Sequence, residues 1–433
     1  MATRSFILQV LAATRAAPTV EVRLTSSLFA ILVCLVLIQA SARFGMSRMF
    51  ARYALIANNV PAADAAVEFA PSDPEAHRAR ATVFNSLQRP DEAATSLEHA
   101  VTLRYRDDYL WIELANTREE LGDTQAALAA LDQAVHWAPY YAHTRWQRGN
   151  LLLRMGRANV AFVDLRSAAT ADPRYAPNLI DLAWGISRND VKTTEALLNI
   201  KNDDERLSLI WFLAGKGRGR EVLDQILLLD EQLYEKQRDE VAQLLYRAKA
   251  FKESFDVSHP YGNFREPIFV NGGFEEPLVL ADSGFGWIIS APQKNRLAID
   301  VSEKLSGSKS LQINLDGSWP PGASLLSQTF IVKPGETYRL SFSVKTKDLV
   351  TGGPPVIVVN DASNDQLLGK SENFPTATTS WSELTFSFTT LPTSEAAVIR
   401  LQRNNCDTSP CPIFGTLWLD GFSFEQTDPP QRR

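Results

Sequence analysis

The sequence predicts a multidomain chain, α first and β second: an N-terminal transmembrane helix, an α-solenoid, and a C-terminal antiparallel β-sandwich of the jelly-roll type. Three observations carry this reading. An uncharged apolar run occupies residues 24–42, a helical pattern then recurs at a fixed spacing, and beyond residue 267 the apolar period changes from helical to two. With 433 residues, 45 % of them apolar, the chain is long enough for several cores, and its net charge of −6 gives no general attraction to nucleic acid.

From Leu24 to Ala42 there is no charged side chain, and Leu28 to Ile38 reads LFAILVCLVLI. A helix of roughly nineteen such residues rises about 28 Å, close to the thickness of a bilayer's hydrocarbon core. Ala40-Ser41-Ala42 resembles a signal-peptidase site, but the segment before the apolar run is long for a signal peptide, so an uncleaved anchor is preferred to a cleaved signal. Arg4, Arg15 and Arg23 precede the run and Arg43, Arg48 and Arg52 follow it, so charge leaves the orientation undecided. Cys34 lies inside the run as a small hydrophobe. Residues 1–23 form a tail.

The solenoid is expected over residues 51–248. Gly122 and Gly156, Ala127 and Ala161, Leu131 and Leu165, Ala134 and Ala168, and Pro139 and Pro173 all stand 34 positions apart, and Ala93, Leu97 and Ala100 fill matching slots upstream. Small residues let two helices approach, glycine permits the tight turn, and proline ends each pair. One hairpin cannot bury its own apolar stripe, so copies must stack.

Trp111, Leu114, Ala115, Gly122, Ala127, Leu131, Ala134 and Pro139 resemble the tetratricopeptide repeat pattern, and the resemblance extends over Pro74 to Tyr175. Two departures stand out: Arg145 and Arg148 occupy apolar positions in the third copy, and Gln88 replaces the inter-helix glycine in the first. The resemblance implies a groove lined by the first helix of each pair, here Tyr109, Ile112, Asn116 and Glu119, then His143, Trp146, Asn150 and Arg154. It implies a protein partner in that groove, with Asn116 and Asn150 placed to hold a peptide backbone.

After Tyr175 helical spacing continues to Ala248, and these helices are expected to extend or cap the solenoid. Gly215 to Arg220, GKGRGR, lacks the spacing of a phosphate loop and reads as a basic turn. Residues 249–267 read as a linker rich in helix breakers, residues 268–426 as the sandwich and residues 427–433 as a tail. In the sandwich Tyr338, Leu340, Phe342 and Val344 alternate with polar residues, as do Leu384, Phe386 and Phe388, and Leu311, Ile313 and Leu315.

Asn271-Gly272-Gly273-Phe274-Glu275, Gly307 to Leu311, Val332 to Phe342, Trp381 and Leu417 to Phe422 resemble, in order, the carbohydrate-binding modules of families four and nine, which have a galactose-binding-like sandwich. The resemblance implies glycan as a ligand. It also implies a structural calcium held by Glu275 and Asp420, although Gly421 replaces the second acid of the usual pair.

Sugar recognition needs an exposed aromatic ring and hydrogen-bonding neighbours. Trp319, in GSWPPG, is the first choice of platform, because its flanking residues place it outside a regular strand; Phe374 and Trp381 follow, with Arg339 and Asn314 on a polar strand face. Trp287 and Trp418 read as core packing. Cys406 and Cys411 enclose a short loop and are either a disulfide or free thiols. No nucleophile elbow, phosphate loop or dinucleotide fingerprint occurs, and the five histidines have no metal-ligand spacing. The expectation is a non-enzymatic protein of the bacterial inner membrane, single-pass, with the bulk of the chain periplasmic or otherwise extracytoplasmic. It would dock a protein through its repeats and bind glycan through its sandwich, in polysaccharide assembly or export. The alternatives are a structural scaffold that binds no sugar and an accessory subunit of a carbohydrate-active enzyme.

Overall fold

The structure, a computed structural model, describes residues 20–260, 269–278, 284–289, 296–407 and 409–427. Most of the expected N-terminal tail, the latter part of the linker and most of the C-terminal tail lie outside these. The chain forms two compact units, Met1–Asn199 and Ile200–Arg433.

The first unit opens with helix α1 (Val20–Ala57). Ser27–Ala57 is long and apolar enough to cross a membrane. The helix does not end where the apolar run ends: no strong breaker intervenes, and an isolated glycine such as Gly45 is tolerated in a helix. Its second half buries Ser47, Ala51 and Ala54 against α2 (Val60–Phe69) and α3 (Pro74–Ser86). Ser47 Oγ donates to the Ala66 carbonyl at 2.7 Å, and Arg48 pairs with buried Asp73 at 2.7 Å. Asn58, in the left-handed region at φ 48°, stops the helix, and the Asn59 side chain caps the next one. The apolar segment and the first solenoid helix are thus one element.

Three hairpins follow: α3 with α4 (Pro90–Leu103), α5 (Asp108–Glu120) with α6 (Thr124–Trp137), and α7 (Ala142–Arg154) with α8 (Ala158–Ala171). Ala93, Leu97, Ala100, Ala127, Leu131 and Ala134, the slots given by the repeat spacing, are buried in one continuous core. The inter-helix turns place Gly122 at φ 79°, Gly156 at φ 75° and Gln88 at φ 59°. Helices α9 (Ala176–Ile186) and α10 (Val191–Leu198) complete this unit.

The second unit begins with four helices, α11 (Asp203–Gly215), α12 (Gly219–Ile226), α13 (Glu231–Arg247) and α14 (Phe251–Ser258). The sequence assigns the first three to the solenoid and α14 to a linker. They instead group with the sandwich, because aromatic side chains on α13 and α14 find their partners there. Phe251 and Phe255 pack with Phe285, Ile331 and Ala396, and the Tyr246 hydroxyl lies 2.7 Å from Thr329 Oγ1.

The sandwich has two five-stranded sheets. One is ordered β1 (Ile288–Ile289), β4 (Leu326–Ile331), β9 (Ala396–Arg403), β6 (Pro355–Asp361), β7 (Leu367–Lys370); the other is β2 (Leu297–Asp300), β3 (Ser310–Asp316), β10 (Ile413–Thr427), β5 (Thr337–Thr351), β8 (Ala377–Thr389). All pairings between them are antiparallel. Inward residues alternate along each strand, as in Leu311, Ile313 and Leu315 or Tyr338, Leu340, Phe342 and Val344, and fill one apolar core. On the outer side of the first sheet, α13 and α14 cover Thr329, Ile331 and Ala396. The second sheet's outer side carries Arg339, Ser341, Lys345 and Lys347 on β5 and Gln312, Asn314 and Asp316 on β3.

Candidate functional site

The outer face of the second sheet is built along β10, its central strand. Leu417 and Leu419 enter the core, so Trp418 between them turns the other way. It is only 5 % exposed, but it is buried by polar neighbours. Its Nε1 donates to Asp300 Oδ2 at 2.8 Å, and the Lys345 ammonium, paired with Glu303 at 2.6 Å, stands 5.6 Å from the ring centroid. Burial pushes the Asp300 carboxyl up, but bonds from the Ser302 hydroxyl, Trp418 and the Ser302 and Glu303 amides outweigh it and hold the pKa at about 2. Further along the strand, Thr416 Oγ1 donates to Asn314 Oδ1 at 3.1 Å. Phe414 follows at the strand's start, opposite Asp316 and Val350, with 49 % of its surface exposed.

Beside that end of the strand lies an arrangement that sequence reasoning missed. Arg403 is buried without a carboxylate partner among the described residues, and burial lowers its pKa. Its guanidinium donates to the carbonyls of Trp319, Gly353 and Pro412, to Thr351 Oγ1 at 3.0 Å and to Cys411 Sγ at 2.9 Å. Cys406 and Cys411 are joined by a disulfide, Cα to Cα 5.7 Å. One side chain thus ties together the GSWPPG turn, the disulfide loop and the start of β10. An arginine in AVIRLQR, one of two, offered no signal for this.

In the first unit, the first helices of successive hairpins are cross-linked by polar contacts. Arg78 grips Glu113 through both carboxylate oxygens at 2.9 Å, Asn85 Nδ2 donates to Thr117 Oγ1 at 2.9 Å, Thr144 Oγ1 donates to Asp108 at 2.9 Å, and Arg154 pairs with Glu119 at 2.6 Å.

Residues 266–408 match the family model described as a carbohydrate binding domain, and residues 109–141 match a tetratricopeptide repeat model. The chain combines tetratricopeptide repeats with a carbohydrate-binding-module-like sandwich. No curated protein matches its sequence. Among solved structures, that of YrrB, a TPR protein with an unusual peptide-binding site, is 18 % identical and covers 36 % of this chain and 81 % of that one at a TM-score of 0.31. A CBM4 structure is 16 % identical over 37 % of this chain and 100 % of that one, TM-score 0.28. TmCBM61 in complex with β-1,4-galactotriose is 16 % identical over 38 % and 100 %, TM-score 0.26.

In the tetratricopeptide repeats the expected groove residues separate into groups. Tyr109, Asn116 and His143 are exposed, and Arg78 stacks over the Tyr109 ring at 4.8 Å. Glu119 and Arg154 neutralise each other. Trp146 and Asn150 are half-buried, Trp146 lying 4.7 Å from the Tyr175 ring. Ile112 is corrected: at 3 % exposure it belongs to the core with Leu110, Leu114 and Ala115, because its position on α5 falls in the seam between helices.

In the carbohydrate-binding-like sandwich, Trp319 is 1 % exposed and belongs to the core, its Nε1 donating to the Ala323 carbonyl at 3.0 Å. The turn folds back over the end of the sandwich, so the prolines and glycines that suggested a projecting ring bring it inward. Phe374 is likewise core, packed on Phe342. Neither is an exposed platform. Trp381 is half-buried on β8, and Arg339 and Asn314 are exposed on the outer face. Trp287 is core, stacked on Phe274 at 5.3 Å, whereas Trp418 belongs to the outer face and not to the core.

Glu275 and Asp420 do not fit a calcium ion. Asp420 Oδ2 accepts from the Leu305 and Ser306 amides at 2.9 and 3.0 Å, and Oδ1 accepts from Gly421 at 2.7 Å. Glu275 accepts from the Ser308 and Lys309 amides, and the Lys309 ammonium donates to the Glu275 carbonyl. The Ser308 hydroxyl bond, with these amides, lowers the Glu275 pKa. Calcium needs converging oxygens, and here N–H donors converge. Among the described residues, no three acidic, histidine or cysteine side chains gather to hold a metal.

Proposed function

We propose that this chain is a non-enzymatic, membrane-anchored protein of a bacterial envelope that docks a protein partner on its repeats and binds glycan on the outer face of its second sheet, in the service of polysaccharide assembly or export. The observation that carries the glycan reading is the match of residues 266–408 to a carbohydrate binding domain, joined to an open polar strand face built around Trp418. The first sheet's outer face is partly taken up by α13 and α14, which leaves the second as the accessible one. The Cys406–Cys411 bridge supports an oxidising compartment, outside the cytoplasm. Helix α1 supports anchoring, and its unbroken passage into the first hairpin holds the repeats close to the bilayer. The partner would meet Tyr109, Asn116 and His143.

Co-precipitation of the detergent-solubilised full chain with insoluble envelope polysaccharide tests the reading. Enrichment in the pellet is expected. A chain that stays in the supernatant with every polysaccharide tried contradicts glycan binding.

A further inference from the structure

Among the described aromatic side chains of the sandwich, Phe414 alone is largely exposed. Resting on the glycan reading above, we propose that Phe414 is the platform on which the sandwich seats the apolar C–H face of a hexopyranose, with the glycan running along β10 toward Trp418.

Four features of its surroundings support this. The ring is braced: Gly317, at φ 95°, lies beneath it, and a methyl group there would stand 2.8 Å from Phe414 Cε1. The strand start that carries it is fixed from behind, because Arg403 holds the Pro412 carbonyl and the disulfide closes just before it. An aromatic ring held in this way loses little freedom when a ligand stacks on it. The rim is polar, with Asp316 paired to Arg296 at 3.1 Å, the Asn314–Thr416 hydrogen bond, and Lys347 exposed opposite Thr416. These are the donors and acceptors that sugar hydroxyls need. Finally, Phe414 and Trp418 share one face of β10, separated by about 13 Å of strand, enough for more than one ring. The matched family segment ends at residue 408, and Phe414 lies six residues past it.

The test is affinity electrophoresis of the detergent-solubilised full chain in gels containing β-1,4-glucan, β-1,4-galactan or β-1,3-glucan. Wild type is expected to be retarded by at least one of them. Phe414→Ala should weaken that retention about tenfold and Phe414→Trp should preserve it, with unfolding temperatures unchanged. Should Phe414→Ala fail to fold, Phe414→Leu, which keeps apolar volume without a ring face, decides by the same gel. Equal retention of wild type and the ring-less variant overturns the platform while leaving glycan binding intact. Absence of retention for wild type in all three gels overturns both.

Discussion

Arg148 Nε lies 2.6 Å from Asp164 Oδ2, and that carboxylate, 1 % exposed, also takes Arg145 at 2.9 Å. Both arginines stand where the repeat pattern has apolar residues. The departure is therefore compensated: Asp164 on α8 supplies the counter-charge, and its bonds raise the Arg148 pKa above its ordinary value. Removing the carboxylate alone leaves two partly buried cations facing each other, so Asp164→Ala should destabilise the solenoid by about 3 kcal/mol, read from the urea midpoint. Replacing Arg145, Arg148 and Asp164 together with Met, Met and Leu should recover most of that loss.

Gln88 adopts the left-handed backbone that Gly122 and Gly156 adopt in the equivalent turns. A side chain there costs about 1 kcal/mol, which glycine avoids. Gln88→Gly should raise the thermal midpoint by a few degrees, and an unchanged or lower midpoint would contradict the turn's assignment.

The loop Leu305–Lys309 binds Asp420 and Glu275 with amides and an ammonium where a cation would otherwise sit. Chelator should therefore leave the unfolding temperature unchanged, and added calcium should not raise it. Asp420→Asn, which turns two acceptors into a mismatched pair in a fully buried position, should cost about 2 kcal/mol.

Acid should act through Asp300. Burial pushes its carboxyl up, but hydrogen bonds prevail and hold it at about 2, below the ordinary carboxylate value of 3.8. A depressed pKa contributes stability that is complete above the unfolded value and is lost as pH falls through the folded one. The loss should fall between about pH 4 and pH 2, followed by Trp418 fluorescence. Asp300→Asn should flatten the dependence in that window.

Much of this was legible in the chain. The hairpins follow from alanines, leucines and glycines at constant spacing, and the sandwich core from strict alternation, because both patterns are local. What stayed hidden depends on where loops and elements go. The passage of α1 into the first hairpin is hidden because the apolar run ends at Ala42 while the helix continues to Ala57. The burial of Trp319 is hidden because turn residues reveal a bend and not its direction. Trp418 sits in an apolar triplet, and only the register of β10 against β3 and β5 shows that its ring faces outward. Phe414 gave no signal, since a phenylalanine beside a disulfide loop reads as core until its exposure is known.

On the proposed reading, an anchored scaffold presents its repeats and its sandwich outside the cytoplasm. A pair of reporters fused in turn after Arg433, an alkaline phosphatase and a fluorescent protein that matures only in the cytoplasm, tests it most directly. Phosphatase activity in intact cells with no fluorescence is the predicted result. Fluorescence without phosphatase activity would place the sandwich in the cytoplasm and overturn this topology.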